Sequence, residues 1–339
     1  MKILLTGGTG FLGKAVLSKL LVSQEVERVW VLSRKTRTHP DPRVMVLQAE
    51  LTEAGSLRRL AIDPDHIIHL AGLYDFRASA SELYLQNVVA TLHLLEQMKA
   101  WIARAGKIIP LHLASTYAVA YRDEQMGVED ERPQEGHPPT RSAYPYTKAM
   151  VERLVLQSRL PSRIFRLGIL VAAPSDRSIE KMDGPYSFLS LLDRMKDFFP
   201  SIDRLSLVPV PAHPDGSLPL VPVDAAASVF ARSVLELALP QAAEIYGVYE
   251  SGSIPMGEFV TESLRRLGYR ARPFYLKKVP PFFLRAQARL TAVPAGVFEF
   301  ALRPPRLSNP RFLSVFGEDA VPSFRSYQDQ FFAAWRSEK

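Results

Sequence analysis

Residues 1–13 read MKILLTGGTGFLG, and this stretch decides the fold. Its apolar start has the length of a β-strand, and apolar residues recur at helical spacing over residues 11–21. Gly7, Gly10 and Gly13 occur at the junction of these two elements in the spacing GxxGxxG. Glycines at such positions allow a tight turn, let backbone N–H groups approach a pyrophosphate, and let helix and strand pack closely. The stretch therefore predicts a dinucleotide site at the N-terminus of the first helix.

Strand-length apolar runs alternate with segments of helical periodicity through the first half of the chain. The runs are Ile3–Leu5, Val29–Leu32, Val44–Leu47, His66–Ala71, Lys107–Ala114 and Arg163–Leu167. Most are continuously apolar rather than alternating, which indicates burial on both faces. Such runs are typical of a parallel sheet covered by helices, so we predict a doubly wound α/β fold.

The second half of the chain is less regular. Proline becomes frequent there, and the predicted elements are shorter, although a regular strand-like piece returns at Leu220–Val223. We therefore predict a nucleotide-binding core over residues 1–168 and a smaller, mostly C-terminal substrate-binding lid domain over residues 169–339. Residues 220–249 are expected to return to the core.

Composition and charge limit the classes of function. The chain has 339 residues, 47% hydrophobic and 23% charged, as expected of a packed globular protein. It has no cysteine, which excludes disulfides, thiol nucleophiles and thiolate metal sites. Residues 251–339 hold 14 Lys and Arg against 7 Asp and Glu, whereas residues 1–250 hold 28 of each sign. The excess positive charge therefore belongs to the tail, which argues against general nucleic-acid binding.

The same features predict the surroundings of the protein. The first apolar run stops at Gly7, too early for a secretory signal, and no run has the length of a spanning helix. We expect a cytoplasmic protein whose basic, aromatic-rich tail meets an anionic carrier, a cofactor phosphate or the surface of a membrane. The sequence does not fix the oligomeric state, and a homodimer is compatible with it.

The end of the second strand predicts which dinucleotide is bound. Sites that prefer NAD carry an acidic residue there for the ribose 2′-hydroxyl. This chain has Ser33, Arg34 and Lys35 instead, which suit a 2′-phosphate. The predicted cofactor is NADP(H), with NAD(H) the less favoured alternative.

Tyr144 and Lys148 form the predicted catalytic pair. They are four residues apart on a predicted helix, in line with the apolar Val151 and Val155, so both side chains face into the fold. An ammonium group beside a phenol stabilises the phenolate, so Tyr144 can exchange a proton with a carbonyl or hydroxyl oxygen. Lys148 can also hold the hydroxyls of the nicotinamide ribose.

Together these motifs resemble the extended short-chain dehydrogenase/reductase superfamily, and the resemblance runs from residue 1 to about residue 240. It implies a Rossmann fold in which Thr116, just after the fifth strand, orients the substrate oxygen beside Tyr144; Ser115 is the less favoured candidate. It also implies further contacts in and around the cofactor site by Thr9, Phe11, Leu12, Glu50, Leu51, Ala71, Gly72, Asn87, Gly168 and Ile169.

A narrower resemblance points to the thioester reductase and fatty acyl-CoA reductase branch. It rests on TGGTGFLGKAVLSKLL near the N-terminus, the Leu-Ser-Arg-Lys strand end, the Ser-Thr-Tyr sequence and residues 180–186. Tyr117 and Ala118 follow Thr116, where a sugar dehydratase of this fold usually has Asp-Glu, so dehydration of a nucleotide sugar is not expected. The resemblance implies reduction of a carbonyl, as an acyl thioester or derived aldehyde, on a small molecule carried by CoA or an acyl carrier protein.

Two alternatives stay open at the level of sequence. One is an NAD-dependent sugar or steroid epimerase or dehydrogenase of the same fold. The other is a regulator that binds NADP(H) without turnover, although the presence of Thr116, Tyr144 and Lys148 together argues against it.

Other candidate sites have simpler interpretations. His66 and His69 are on a predicted strand, where residues three apart face opposite sides, so no metal site is predicted. The acidic residues between 123 and 135 are interpreted mainly as a solvated loop. The aromatic residues of the tail are interpreted mainly as lid core, although the cations between them would also suit an apolar slot for an acyl chain.

Overall fold

The computed structural model describes residues 1–120, 128–129, 131–134, 142–175, 184–198, 206–280, 300–302 and 306–337. In chain order the strands are β1 (Lys2–Thr6), β2 (Arg28–Ser33), β3 (Val44–Gln48), β4 (His66–His69), β5 (Leu111–Thr116), β6 (Val128–Glu129), β7 (Ser162–Leu167), β8 (Ile169–Val171), β9 (Leu207–Val210), β10 (Ser217–Leu218), β11 (Leu220–Pro222), β12 (Ala243–Val248), β13 (Ile254–Pro255), β14 (Arg272–Tyr275) and β15 (Arg306–Leu307). The α-helices are α1 (Phe11–Val22), α2 (Ala54–Arg58), α3 (Ala80–Leu83), α4 (Ala90–Ala105), α5 (Ala143–Ser158), α6 (Pro185–Phe198), α7 (Val223–Leu235), α8 (Met256–Arg266), α9 (Pro310–Phe316) and α10 (Phe324–Ser337). A π-helical segment, Tyr84–Val89, joins α3 to α4, and 3-10 turns follow at Tyr117–Ala120 and Glu318–Ala320.

One large sheet organises the molecule. Its seven strands have the order β12-β7-β5-β4-β1-β2-β3, and every neighbouring pair is parallel. The strand order changes direction between β1 and β4, which is the doubly wound arrangement that leaves a crevice at the carboxyl ends of the strands. The predicted α/β doubly wound fold is confirmed.

Successive residues of β1 point to opposite layers of the fold. Ile3 and Leu5 pack in the core shared with α1 and α7, whereas Leu4 packs in the core shared with α4 and α5. All three side chains are fully buried. Helices thus cover both faces of the sheet, which explains why its strands are apolar at consecutive positions.

Two strands have bounds that differ from the prediction. β5 begins at Leu111 instead of Lys107, because Pro110 lacks the N–H group that a ladder needs, and it continues to Thr116. β4 ends at His69, two residues before the predicted end of that run. Because β5 extends to Thr116, the predicted catalytic hydroxyl of Thr116 lies at the carboxyl end of this strand.

The later part of the chain divides between the large sheet and smaller cores. β12 completes one edge of the sheet, and α7 packs in the same core as α1. The strand pairs β8–β11, β9–β14, β10–β13 and β6–β15 form small separate sheets. Residues of α6, α8 and α10 share a further apolar core that includes Tyr186, Phe259, Phe331 and Trp335.

The tail aromatics have several different environments rather than one. Phe331, Phe332 and Trp335 are buried in the core shared by α6, α8 and α10, whereas Phe312 and Phe316 pack in the core of the large sheet. Phe274 and Phe300, by contrast, keep exposed surface, with Phe274 54% exposed. Phe282, Phe283 and Phe298 lie outside the described residues.

The tail cations are partly neutralised within the fold. Arg265 and Arg266 both pair with Glu262, and Arg266 also pairs with Asp329. Other tail cations are exposed: Arg270, Arg272, Lys277 and Lys278. Among the helices of the described ranges, none combines the length and the apolar character that crossing a membrane requires.

Candidate active site

Tyr144 and Lys148 lie one turn apart near the start of α5 and face the carboxyl end of β5. Each residue is buried, with 8% of its surface exposed. Lys148 Nζ donates a hydrogen bond of 2.7 Å to the carbonyl oxygen of Ala114. Val151 and Val155 continue the same helical face into the core under the sheet. The helix therefore holds Lys148 against the end of β5 and places Tyr144 in the cavity that the last residues of β5 also line.

The environment of Lys148 makes its ammonium group easier to deprotonate. Burial lowers the pKa of Lys148 to about 8, and the nearby carboxylate of Glu152 only partly opposes this effect. Desolvation disfavours the charged form of a buried amine, whereas an anion stabilises it. Lys148 is thus charged at neutral pH but close to its titration range.

A buried ion pair lies one helical turn beyond Lys148. Arg166 Nη2 on β7 donates a hydrogen bond of 2.8 Å to Glu152 Oε2, and both side chains are 2% exposed. Ser115 Oγ on β5 donates to the other oxygen of the same carboxylate. Because the carboxylate joins side chains from two strands to α5, the helix that carries Lys148 is held in one position relative to β5 and β7.

The two hydroxyl candidates after β5 have different environments. Ser115 Oγ is engaged by Glu152, as described above. Thr116 Oγ1 accepts a hydrogen bond of 3.3 Å from the backbone N–H of Ala118, and Thr116 lines the same cavity as Tyr144 and Lys148. A hydroxyl that accepts from an amide keeps its own proton available for an oxygen in the cavity.

A cavity of about 310 Å³ lies beside these groups. The predicted site residues that line it are Phe11, Leu12, Gly72, Asn87, Thr116, Tyr144, Lys148, Gly168 and Ile169. The predicted site residues that do not line it are Gly7, Thr9, Gly10, Ser33, Arg34, Lys35, Glu50, Leu51 and Ala71. The structure therefore places Thr116, Tyr144 and Lys148 on one cavity and leaves Gly7, Gly10 and the residues after β2 outside it.

The glycine turn fits a pyrophosphate by its geometry. Gly7 has a φ of +71°, and a Cβ there would lie 2.6 Å from the backbone N of Ala71. A Cβ on Gly13 would lie 2.0 Å from the carbonyl oxygen of Gly7. A Cβ on Gly10, the N-cap of α1, would meet only that same oxygen, at 3.3 Å. The turn is thus closed on its protein side, and space remains beside Gly10 at the helix N-terminus, where an anion is stabilised.

The turn after β2 presents cations to solvent. Ser33 is buried, and its Oγ accepts from the backbone N–H of Lys35 and donates to the carbonyl oxygen of that residue. Arg34 and Lys35 are exposed, and within the described ranges neither has an ion-pair partner. Glu50, beyond the neighbouring strand β3, accepts a hydrogen bond of 3.2 Å from the backbone N–H of Thr52.

Asn87 connects the loop after β4 to the catalytic helix. It lies in the π-helical segment, is 2% exposed and accepts a hydrogen bond of 2.7 Å from the backbone N–H of Leu73. Its Nδ2 donates to Thr147 Oγ1 on α5 at 3.1 Å. Asn87 therefore holds the cavity wall, in addition to lining the cavity.

The two histidines of β4 are engaged by other side chains of the fold. His69 Nδ1 lies 2.7 Å from Thr6 Oγ1 and its Nε2 lies 3.0 Å from Thr91 Oγ1. His66 Nδ1 lies 3.2 Å from Nε2 of His112. These contacts give both rings a structural role in the sheet.

The first half of the chain matches a known protein family. A model of the NAD dependent epimerase/dehydratase family matches residues 3–170. This part of the chain belongs to that family. The matched region contains the glycine turn, β5 and the Tyr144–Lys148 pair. Family membership confirms the resemblance to the extended short-chain dehydrogenase/reductases and the prediction of an enzyme of that type.

Curated relatives of this family member are much longer proteins. The hybrid PKS-NRPS synthetase pvhA of Talaromyces variabilis is 26% identical over 252 residues, which are 72% of this chain and 6% of that protein. The PKS-NRPS hybrid synthetase cheA of Chaetomium globosum is 28% identical over 252 residues, which are 68% and 5% of the two proteins. The chain thus spans about one-twentieth of these relatives.

Solved structures share the fold of this epimerase/dehydratase family member. The terminal R domain from the myxalamid PKS-NRPS biosynthetic pathway superposes with a TM-score of 0.74 at 20% identity, covering 99% of this chain and 90% of that one. A thiolation-reductase di-domain from an archaeal non-ribosomal peptide synthetase gives 0.70 at 18% identity, covering 99% and 75%. At identities of 20% and 18%, these two matches show a shared fold.

Several lining residues of this family member were missed in the sequence. Tyr74 and Phe76 lie in the irregular loop after β4, and Met256 begins α8. Tyr186 also lines the cavity, and its hydroxyl accepts a hydrogen bond of 3.1 Å from the backbone N–H of Ala172. A cluster of aromatic residues directly after a parallel strand was the available signal, because loops at that edge of a doubly wound sheet form the ligand site.

Proposed function

We propose that the chain is an NADP(H)-dependent oxidoreductase that reduces the carbonyl group of an acyl thioester or of a derived aldehyde. The observation that carries this proposal is that Tyr144, Lys148 and Thr116 line the same cavity, whose wall is mostly apolar. A phenol, an ammonium group and a hydroxyl around one such space are the groups that carbonyl reduction needs.

Tyr144 donates its phenolic proton to the carbonyl oxygen as negative charge develops there. Thr116 Oγ1 donates a hydrogen bond to the same oxygen and fixes its position. The Lys148 ammonium stabilises the phenolate that remains and binds the ribose hydroxyls. When bound, NADP(H) supplies the hydride that the carbonyl carbon accepts.

The residues of the glycine turn and the turn after β2 would hold the cofactor. Gly7 and Gly10 suit the pyrophosphate at the N-terminus of α1, and Arg34 and Lys35 suit a 2′-phosphate because both cations are exposed at the end of β2. The nicotinamide end would meet the lining residues Phe11, Gly168 and Ile169, with other predicted contacts at Thr9, Leu12, Ser33, Glu50, Leu51, Ala71 and Gly72.

The substrate class rests on the relatives and on the lining of the cavity. PKS-NRPS synthetases are among the similar proteins, and one similar structure is named as a thiolation-reductase di-domain. A small-molecule acyl group carried by CoA or an acyl carrier protein fits these names. The exposed cations of the tail would favour an anionic carrier; they are Arg270, Arg272, Lys277 and Lys278. The same cations would also favour binding of the tail to an anionic membrane surface.

The proposal predicts that Tyr144→Phe lowers kcat for carbonyl reduction about 100- to 10,000-fold, the usual contribution of a positioned acid. The Kd for NADPH should change little, because the substitution removes one hydroxyl and keeps the ring. NADPH oxidation with acyl-CoA thioesters and aldehydes measures the first effect, and fluorescence titration measures the second.

Tyr84→Phe is the matched control, because Tyr84 is 45% exposed and does not line the cavity. Its turnover should equal that of the wild type. Undiminished turnover in Tyr144→Phe would contradict the proposed acid.

A further inference from the structure

Aromatic side chains from separate parts of the chain surround the proposed acid. Tyr74 and Phe76 lie after β4, Tyr117 follows β5, and Phe300 belongs to the tail. The ring centroids of Tyr74 and Phe76 lie 5.0 and 5.4 Å from that of Tyr144. The Phe300 centroid lies 6.3 Å from those of both Phe76 and Tyr117, so it connects the two sides of the cavity.

These rings are not ordinary core residues. Tyr74 is 40% exposed, and Phe76, Tyr117 and Phe300 are partly exposed. By contrast, Phe259 in the core shared by α6, α8 and α10 is 2% exposed. The cavity rings therefore keep apolar surface that the fold itself does not bury, which is the surface a ligand can cover.

The described part of the cavity wall offers almost no charge to a substrate. Lys148 is the one charged residue among the described residues that line it, and its Nζ already donates to the carbonyl oxygen of Ala114. A phosphate or carboxylate close to the reacting carbonyl would be desolvated without a dedicated partner, which costs binding free energy. The part of the substrate next to the carbonyl is thus expected to be uncharged and apolar.

We propose, resting on the carbonyl reduction proposed above, that this site selects acyl groups that carry an aromatic ring close to the carbonyl. Tyr74, Phe76, Tyr117 and Phe300 are its specificity-determining residues. A saturated chain gains only from the area it buries, whereas a ring also gains from edge-to-face and offset contacts at centroid separations of about 4.5–7 Å. Each such contact favours the ring roughly 2- to 10-fold.

The test compares 3-phenylpropanoyl-CoA with nonanoyl-CoA, which have equal numbers of acyl carbons, and with adipoyl-CoA, which ends in a carboxylate. We expect kcat/KM for the phenyl substrate to exceed that for nonanoyl-CoA by about tenfold or more, with the least turnover for adipoyl-CoA. Equal or better turnover of nonanoyl-CoA or adipoyl-CoA would overturn this inference and leave the carbonyl reduction intact. Failure to reduce any thioester or aldehyde would instead contradict the proposed function.

Variants separate the rings from a general effect on the fold. Phe300→Leu and Tyr74→Leu should each reduce the phenyl-to-nonanoyl ratio of kcat/KM severalfold. Tyr74 is well exposed, so its variant keeps the test valid if Phe300→Leu fails to fold. Phe274→Leu is the control, because Phe274 is 54% exposed and does not line the cavity, and its ratio should match the wild type. If the phenyl-to-nonanoyl ratio of kcat/KM were unchanged in both Phe300→Leu and Tyr74→Leu, these rings would not determine the specificity of the site.

Discussion

At the level of single residues, the burial of Lys148 has a direct consequence for activity. Its pKa of about 8 means that the ammonium form is present below pH 8 and is lost as the pH rises through that value. We predict that kcat falls on the alkaline side with a midpoint near pH 8, because the neutral amine no longer stabilises the Tyr144 phenolate. A profile of kcat against pH measures this.

Lys148→Arg provides the comparison for that profile. A guanidinium group stays charged throughout the accessible range, so the alkaline limb should move to higher pH even if the variant is slower. An alkaline limb with the same midpoint in Lys148→Arg would assign the titration to another group. Glu152 is the carboxylate that favours the charged form of Lys148 in the wild type.

Arg34 is the residue on which the choice of dinucleotide is predicted to depend. A charge-assisted hydrogen bond to a 2′-phosphate contributes about 1.5–3 kcal/mol, so Arg34→Ala should lower the preference for NADPH over NADH about 10- to 100-fold. The ratio of kcat/KM for the two cofactors measures the effect.

Arg58→Ala, an exposed arginine on α2, is the control with the same change of charge. Its cofactor preference should equal that of the wild type. An undiminished preference in Arg34→Ala would reject the role of this cation.

At the level of elements, Glu131 connects three distant parts of the chain. Its carboxylate accepts hydrogen bonds from the backbone N–H groups of Arg311, at 2.6 Å, and of Phe312 and Gly247, both at 2.9 Å. The first two groups belong to the first turn of α9, and Gly247 belongs to β12. Burial raises the pKa of Glu131, and the three amides partly offset this. The residue caps a helix and fastens it to the sheet.

Glu131→Ala should therefore destabilise the fold by about 2–4 kcal/mol, because it leaves buried backbone donors without an acceptor. Denaturant unfolding measures the change in the free energy of unfolding. Glu318→Ala, an exposed acid in the turn after α9, should change it by less than about 0.5 kcal/mol. If Glu131→Ala lowered the free energy of unfolding no more than Glu318→Ala, the hydrogen bonds of Glu131 would contribute little to stability.

Glu131 also illustrates where sequence patterns stop being informative. The sequence predicted a mainly solvated acidic loop, since carboxylates between strands and helices are usually exposed; for Glu131, 6% exposed, this was wrong. Its partners Gly247 and Phe312 are 116 and 181 residues away, so no local periodicity could reveal the contact. Tyr144 and Lys148, in contrast, are one helical turn apart, and that spacing alone placed them on one face.

The same contrast applies to the wall of the cavity. The glycine turn was predictable because the strand, the turn and the helix are consecutive in sequence. Tyr74 and Phe76 were not predicted as neighbours of Phe300, because they lie in an irregular loop and Phe300 is in a helical piece far along the chain, so that only the tertiary fold brings them together. Most strand interiors were predictable, because helices on both faces favour apolar residues at consecutive positions.

At the level of the whole molecule, three buried histidines predict how stability depends on pH. Burial lowers the pKa of His66 to about 4 and of His69 to about 3, and it lowers the pKa of His112 well below its usual value. In the unfolded chain these groups titrate near pH 6.5. As the pH falls below about 6.5, the unfolded chain binds protons that the folded chain does not, so stability declines.

Each such histidine contributes a loss of up to about 1.4 kcal/mol per pH unit between its unfolded and folded pKa values. Denaturant unfolding between pH 7.5 and pH 5 should show constant stability above the unfolded pKa and a decline below it. His69→Gln should reduce the slope of that decline by about a third, whereas His39→Gln, in the partly exposed loop before β3, should leave it unchanged. A slope that is equal in His69→Gln and the wild type would contradict this account.

The position of β12 at the edge of the sheet also has a consequence for synthesis of the chain. β7 ends at Leu167, but the strand that pairs with its free side begins only at Ala243. A growing chain therefore has an interval in which β5 and β7 are complete and one row of their backbone hydrogen-bonding groups has no native partner. Such edges pair readily with other chains. We therefore expect nascent copies of this protein to be prone to aggregate during the time needed to translate the segment between these two strands.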